Sequence, residues 1–438
     1  MKPMKMLTLG LLASVFAGPA LAETTLTIAT VNNNDMVVMQ RLSSAFEEAN
    51  PDIKLNWVVL EENTLRQRLT TDISTNGGQY DILTIGMFEA PMWGERGWLR
   101  PFDAVPADYD LDDVLQSVRD GLSFDGKLFA LPFYAESQMT FYRKDLLEAK
   151  GITMPERPTW KDIGEIGEKI HDPSNGVYGV CLRGKPGWGE NVGQITPAAN
   201  SYGARWFDMD WKAQLNTPQW KEALTDYVDL LKKYGPPGAS SNGYNENLAL
   251  FASGNCGIWV DATVSAGFLA DPNQSTVIDK VGYAYPPYGK FDKGNHYLWA
   301  WSLAVPVSSK SPEAAEKFIY WATSKDYINL VAKDTGWATV PPGTRESTYA
   351  NAEYIEAAPF AKLTLDTIQS ADVNGPTQEP VPYRGIGFVG IPEFQAIGTS
   401  VGQEFAAVIA GQKTVDEALA AAQALTERAM DQAGYTKK

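Results

Sequence analysis

From Thr25 onward the chain alternates short apolar strands with amphipathic helices, and few folds accept that order. "TLTIAT" (Thr25–Thr30) alternates apolar and polar residues as a half-buried strand does. Val38, Leu42, Ala45, Phe46 and Ala49 then recur at helical spacing, which predicts one helix stopped by Pro51. "IKLNWVVL" reads as a second strand. Thr64 is placed to cap a helix reaching about Ser74, with Gly77-Gly78 beyond it, and "YDILTIG" reads as a third strand. Strand–helix–strand–helix–strand predicts parallel βαβ units with right-handed crossovers.

The second half repeats this grammar. Thr159 precedes a helix carrying Trp160, Ile163, Ile166 and Ile170 on one face, and "GVYGVCLRG" follows as a strand. Thr217-Pro218 opens a helix striped with Trp220, Leu224, Tyr227, Val228 and Leu231, which Gly235-Pro236-Pro237 ends. "CGIWVDA" and "WSLAVPV" read as strands, Ser311-Pro312 opens another helix, and Thr414-x-x-Glu417 is a capping box before an Ala-rich helix closing at Gly434. A length of 438 residues favours two domains, and no low-complexity tract or long linker separates the halves. Ligands of open α/β sheets bind at the carboxyl ends of the strands, so two such units side by side place a site in the cleft between them.

Lys2 and Lys5, the apolar run Met6–Ala17 and Ala20-Leu21-Ala22 have the layout of a secretory signal over residues 1–22. An exported, soluble chain in a periplasm-like space is expected, with maturation after Ala22. The formal net charge of −16 argues against nucleic acid as a partner. Cys181 and Cys256 are either a disulfide or two small buried hydrophobes. With His171 and His296 they do not suffice for a typical structural zinc site, so no metal is expected, nor any cofactor.

Chemistry-bearing residues recur just past the strands. Asn33 and Asn34 follow the first, Met87 the third, and Glu136 ends "LPFYAE". Trp188, Glu190 and Asn191 follow "YGVCLRG", Asp261 ends "GIWVD", Trp299 and Trp301 open "WSLAVPV", and Trp337 and Arg384 come later. Carboxylates, amides and Arg bind hydroxyl pairs at two points, while aromatic rings pack on C–H faces, so this mixture suits a sugar or polyol. Each residue also has a plainer reading. Any of the thirteen Trp serves as core, Asn32–Asn34 as a turn, Arg384 as a solvated loop residue, Glu190 as a solvated loop acid and Asp261 as a helix cap. Glu136 resists one, because a lone carboxylate among Phe133 and Tyr134 is costly unless something fills its acceptors. Paired carboxylates in a cleft also suit a secreted glycoside hydrolase, the enzymatic alternative.

"LPFYAESQMTFYRKDL" resembles a segment of the extracellular solute-binding proteins of the maltose-binding type, with Arg143 where Asn is usual. "LFASGNCGIWVDA" and "WSLAVPVSSKSPEAAEKFIYWATS" resemble two further segments of that family in the same order. The Asn-rich, aromatic-rich version here is most similar to the sorbitol/mannitol-binding proteins of polyol ABC transporters. The resemblance implies an α/β fold of two lobes with a hinged cleft. It implies a first lobe of residues 23–133 plus 300–335 and a second of 136–298 plus 338–438. Crossings are expected near Phe133–Ala135, Leu298–Trp301 and Asp334–Trp337. It also implies a monomer that captures a sugar alcohol or small carbohydrate without catalysis and delivers it to an inner-membrane ABC permease. Ligand contacts are expected at Asn33, Asn34, Met87, Glu136, Trp188, Asn191, Asp261, Trp299, Trp301, Trp337 and Arg384.

Overall fold

The computed structural model describes residues 23–435; the signal segment expected over 1–22 lies outside the described residues. β1 (Thr24–Val31), β2 (Ile53–Leu60) and β3 (Ile82–Ile85) form at the three places the alternation predicts. β1 lies parallel to both of the others, as βαβ units require. β4 (Ser123–Phe124) and β5 (Lys127–Leu128) make a small hairpin. β6 (Leu131–Glu136) continues the first sheet, and β7 (Gln138–Arg143) belongs to a second one with β8 (Tyr178–Cys181), β9 (Cys256–Ala262) and β10 (Val281–Ala284). β11 (Trp299–Ala304) returns to the first sheet, between β3 and β6. The order is β2-β1-β3-β11-β6 in the first sheet and β10-β7-β9-β8 in the second.

Two sheets, each covered by its own helices, make two lobes. β3, β6, β9 and β11 are buried along their whole length, as continuous apolar strands between helical layers should be. The helix Pro312–Ala322 packs back on the first lobe, where Phe318 meets Phe46 edge to face at 5.1 Å. The last two helices, Phe394–Ile409 and Val415–Ala433, close the second lobe, with Trp220 against Phe405 at 5.9 Å.

Local chemistry explains where prediction and structure part. The helix expected across Val38–Ala49 is two, Asn34–Leu42 and Ser44–Ala49, divided at Ser43. Ser43 donates its hydroxyl to the Gln40 carbonyl, a short polar side chain competing with the helical ladder. Thr64 is not a cap. Glu61 fills that role and its carboxylate accepts from the Thr64 N–H, so the helix starts at Glu62. Thr414 forms the capping box its spacing predicts, and Thr159 caps its helix in a box completed by Asp162. The second sheet departs from a parallel pattern: only β8 and β9 run parallel, and β7 is antiparallel to both β9 and β10. The Cys181–Cys256 alternative resolves as a disulfide joining those parallel strands.

The chain leaves the first sheet at Glu136 and enters the second at Gln138, with Ser137 between. Ala135 pairs with Ala300 of β11 on one side and donates its N–H to the Pro342 carbonyl on the other, at 2.9 Å. Gly343 has φ +75, and a Cβ there would stand 2.1 Å from the Ala135 carbonyl oxygen, so three passages of chain lie side by side only because that residue has no side chain. Beyond it Leu115 donates to the Thr344 carbonyl, and Arg345 reaches Asp110 and Asp113, so residues 344–345 rest on the first lobe rather than the second.

Candidate functional site

Where the lobes meet, a cavity remains with about 60 Å³ reachable by the centre of a water molecule. Its floor is the last pair of the first sheet, Glu136 opposite Trp299. Among the described residues no protein hydrogen bond reaches the Glu136 carboxylate, although the residue is only 6% exposed. Burial pushes its pKa well up. Arg183 opposes that, and the charges of Asp261, Glu62 and Asp35 add to it. A carboxylate so placed has free acceptors and nothing of the protein to fill them.

The first-lobe wall is built around Arg66, on the helix Glu62–Ser74. Its Nε and Nη2 donate to Glu62 Oε1 at 3.1 and 2.9 Å, and its Nη1 donates to Glu89 Oε1 at 2.6 Å. Glu89 is held in turn by the Gly86 N–H. Burial works against the Arg66 charge, but the two carboxylates outweigh it and its pKa is raised. The indoles of Trp299 and Trp301 stand beside it, and Trp299 has room because Gly86 carries no side chain: a Cβ there would lie 1.9 Å from the ring. Asn33 donates to the Tyr134 hydroxyl at 2.9 Å, which fixes another edge of the cavity.

The second-lobe wall is built around Arg183, two residues beyond β8. Its Nη2 and Nε donate to the two Asp261 oxygens at 2.6 and 2.9 Å, and Nη1 reaches Glu190 Oε2 at 3.3 Å. Asp261 also accepts from the Trp259 indole N–H at 3.1 Å and, more distantly, from Gln194. Burial raises the Glu190 pKa to about 7; Arg183 opposes the rise, and Glu62 from across the cleft adds to it. Trp188 projects from the loop before Glu190, and its ring meets Phe88 of the first lobe at 4.8 Å. Outside the cavity the rims touch: Lys185 bonds Glu61 at 2.7 Å, and Asn63 donates to the Pro186 carbonyl at 3.2 Å.

Of the residues singled out from the sequence, Asn33, Glu136, Trp188, Trp299 and Trp301 line this one cavity. Asp261 stands behind its wall, fully buried and occupied by Arg183, instead of capping a helix. Glu190 is buried against Arg183 and Lys185, which corrects its reading as a solvated acid. The others lie elsewhere, each for a local reason. Asn34 bonds Gln274 on the exposed outer rim. Met87 packs on Gly121 in a neighbouring groove. Asn191 spends its amide on the Gly184 and Gly402 carbonyls, fastening the Trp188 loop to a helix. Trp337 donates to Glu353 at 2.6 Å, and Arg384 is exposed on a loop away from the cavity. Sequence reasoning passed over Arg66 and Arg183. Arg183 follows a strand as closely as the chosen residues do, so the same rule would have found it. Arg66 sits mid-helix, where that rule does not look.

The described residues contain no group of three or more His, Cys, Asp or Glu placed to hold a metal ion. Of the carboxylates whose charge acts on Glu136, Asp261 is engaged by Arg183 and Glu62 by Arg66.

Comparison with known proteins agrees with this architecture. A model of the bacterial extracellular solute-binding protein family matches residues 32–328. A mannitol-binding protein of Pseudomonas aeruginosa is 58% identical over 429 residues, 98% of either chain. The crystal structure of an ABC transporter solute-binding protein from Agrobacterium vitis with bound D-mannitol is 60% identical, with a TM-score of 0.93 over 94% of this chain and 99% of that one. A second, from Agrobacterium radiobacter in complex with ribitol, is 26% identical, with a TM-score of 0.82 over 93% and 99%.

Proposed function

From the premise that this chain belongs to the bacterial extracellular solute-binding proteins, we propose that it captures D-mannitol, or an alditol of similar length, between its lobes for an ABC importer. The observation that carries this is Glu136: a carboxylate without a hydrogen-bond partner among the described residues, on the floor of a small cavity between two buried arginines. Every hydroxyl of an alditol both donates and accepts, so one ligand can fill Glu136 and take donors from Arg66 and Arg183. A hydrogen bond to a charged group contributes about 1.5–3 kcal/mol net, so three or four give micromolar affinity or better. The cavity volume favours a short ligand over an oligosaccharide.

Contacts to both walls favour the closed arrangement, and a membrane permease would read the rims that closure brings together. The protein acts as a monomer in the periplasm, after removal of residues 1–22, and releases its ligand chemically unchanged. The test is calorimetric titration of the mature chain with D-mannitol, D-sorbitol and ribitol, with chromatography of the recovered ligand. Micromolar binding of D-mannitol, with about 2.7 kcal/mol of added stability at roughly 100-fold excess over Kd, is expected. Absence of binding, or appearance of a product, overturns the proposal.

A further inference from the structure

Three indoles in one cavity suggest a stacking platform for a sugar ring, but here that platform is occupied. The guanidinium carbon of Arg66 lies 4.0 Å from the Trp188 ring centre, 4.8 Å from Trp301 and 5.0 Å from Trp299. Trp299 meets Trp188 edge to face at 5.9 Å and Trp301 at 5.7 Å, so the rings form a box with the guanidinium inside it. The box has little free surface behind it. Trp188 meets Phe88 at 4.8 Å and Phe388 at 6.2 Å, and Trp299 meets Phe388 at 5.8 Å. Glu62 and Glu89 hold the guanidinium from its edges, and the side chain is 5% exposed.

A pyranose needs an open aromatic face for its C–H side, whereas an acyclic polyol needs hydrogen-bonding edges. We propose that Arg66 is the specificity-determining residue of this site: by filling the aromatic box it removes the surface a ring would stack on. Three of its five N–H donors go to Glu62 and Glu89, which leaves two for ligand hydroxyls. The cavity therefore selects open-chain polyols over the cyclic sugars of the same carbon skeleton. This rests on the proposal that the ligand is an alditol and adds which side chain rejects the ring.

The experiment compares D-mannitol with D-mannose by calorimetry on the wild-type chain, on Arg66→Lys, and on Arg66→Met combined with Glu89→Gln, which avoids stranding the more deeply buried of its two carboxylates. Wild type should bind D-mannitol at least ~100-fold more tightly than D-mannose, and both variants should shrink that ratio by ~10-fold or more as the indole faces open. A folded variant with the wild-type ratio, or wild type binding both sugars equally, overturns the role of Arg66 while leaving polyol capture standing. Wild type binding no D-mannitol removes the functional proposal and this one with it. Arg66→Lys keeps the charge beside both carboxylates, so it decides the matter if the double variant does not fold.

Discussion

Each lobe presents one buried arginine held between two carboxylates, yet the two are built differently. Arg183 belongs wholly to the second lobe: its anchor Asp261 lies in β9, its strand β8 neighbours β9, and the Cys181–Cys256 disulfide ties the two strands together. Arg66 rests on its own lobe through Glu62 and Glu89, but Trp188, the nearest of its three indoles, comes from the other lobe. One cluster is thus complete within a single lobe, and the other is completed by a side chain of the facing lobe. The same chemistry serves as a fixed wall on one side and as a contact between lobes on the other.

The largest expected effect comes from breaking the fixed wall. Asp261→Ala leaves Arg183 buried without its bidentate partner and should cost about 3–5 kcal/mol of stability in denaturant unfolding, with binding lost. Glu62→Gln, on the other wall, should cost less, because Glu89 still holds Arg66. Equal losses would erase the distinction between the clusters.

A pH series extends the comparison, since each lobe also holds a carboxyl driven upward by burial. The pKa of Asp35 in the first lobe is raised to about 8, and that of Glu190 in the second to about 7. Both folded values exceed the unfolded ones. The stability these groups contribute is therefore complete below about pH 4 and is lost as pH rises toward 8, by up to about 4 kcal/mol for Asp35 between pH 5 and 8. Asp35→Asn should flatten that decline, and unfolding midpoints for both chains across this range give the check.

Glu136→Gln sharpens the contrast between groups that hold the walls and the group that waits for ligand. It should weaken D-mannitol binding by about 1.5–3 kcal/mol in calorimetry with stability unchanged or improved, because no protein partner is stranded. The smallest effect is expected at Arg384→Ala, within about 0.5 kcal/mol in both affinity and stability, since that side chain is exposed away from the cavity.

What was legible in the sequence was local. The cap at Thr159 and the capping box at Thr414 span three residues, and β1, β2, β3, β8, β9 and β11 announce themselves by short apolar runs. Glu136 stood out because a carboxylate within such a run contradicts its surroundings. What stayed hidden depends on distant partners. Arg66 meets Glu89 across 23 positions and Arg183 meets Asp261 across 78, and no local pattern marks either pair. Asn191 and Met87 follow strands just as Glu136 does. Only the packed structure reveals that a backbone carbonyl or a glycine has already claimed them.

The three chain passages that lie together at Ala135, Ala300 and Pro342 carry a consequence for the floor of the cavity. Glu136 is the next residue along. When two bodies swing about a shared axis, groups near the axis travel least and those at the rims travel farthest. On the proposed closure about these passages, the acceptor at position 136 would be in place while Lys185 and Glu61 are still apart, and an arriving molecule would meet its anchor before the jaws come together around it.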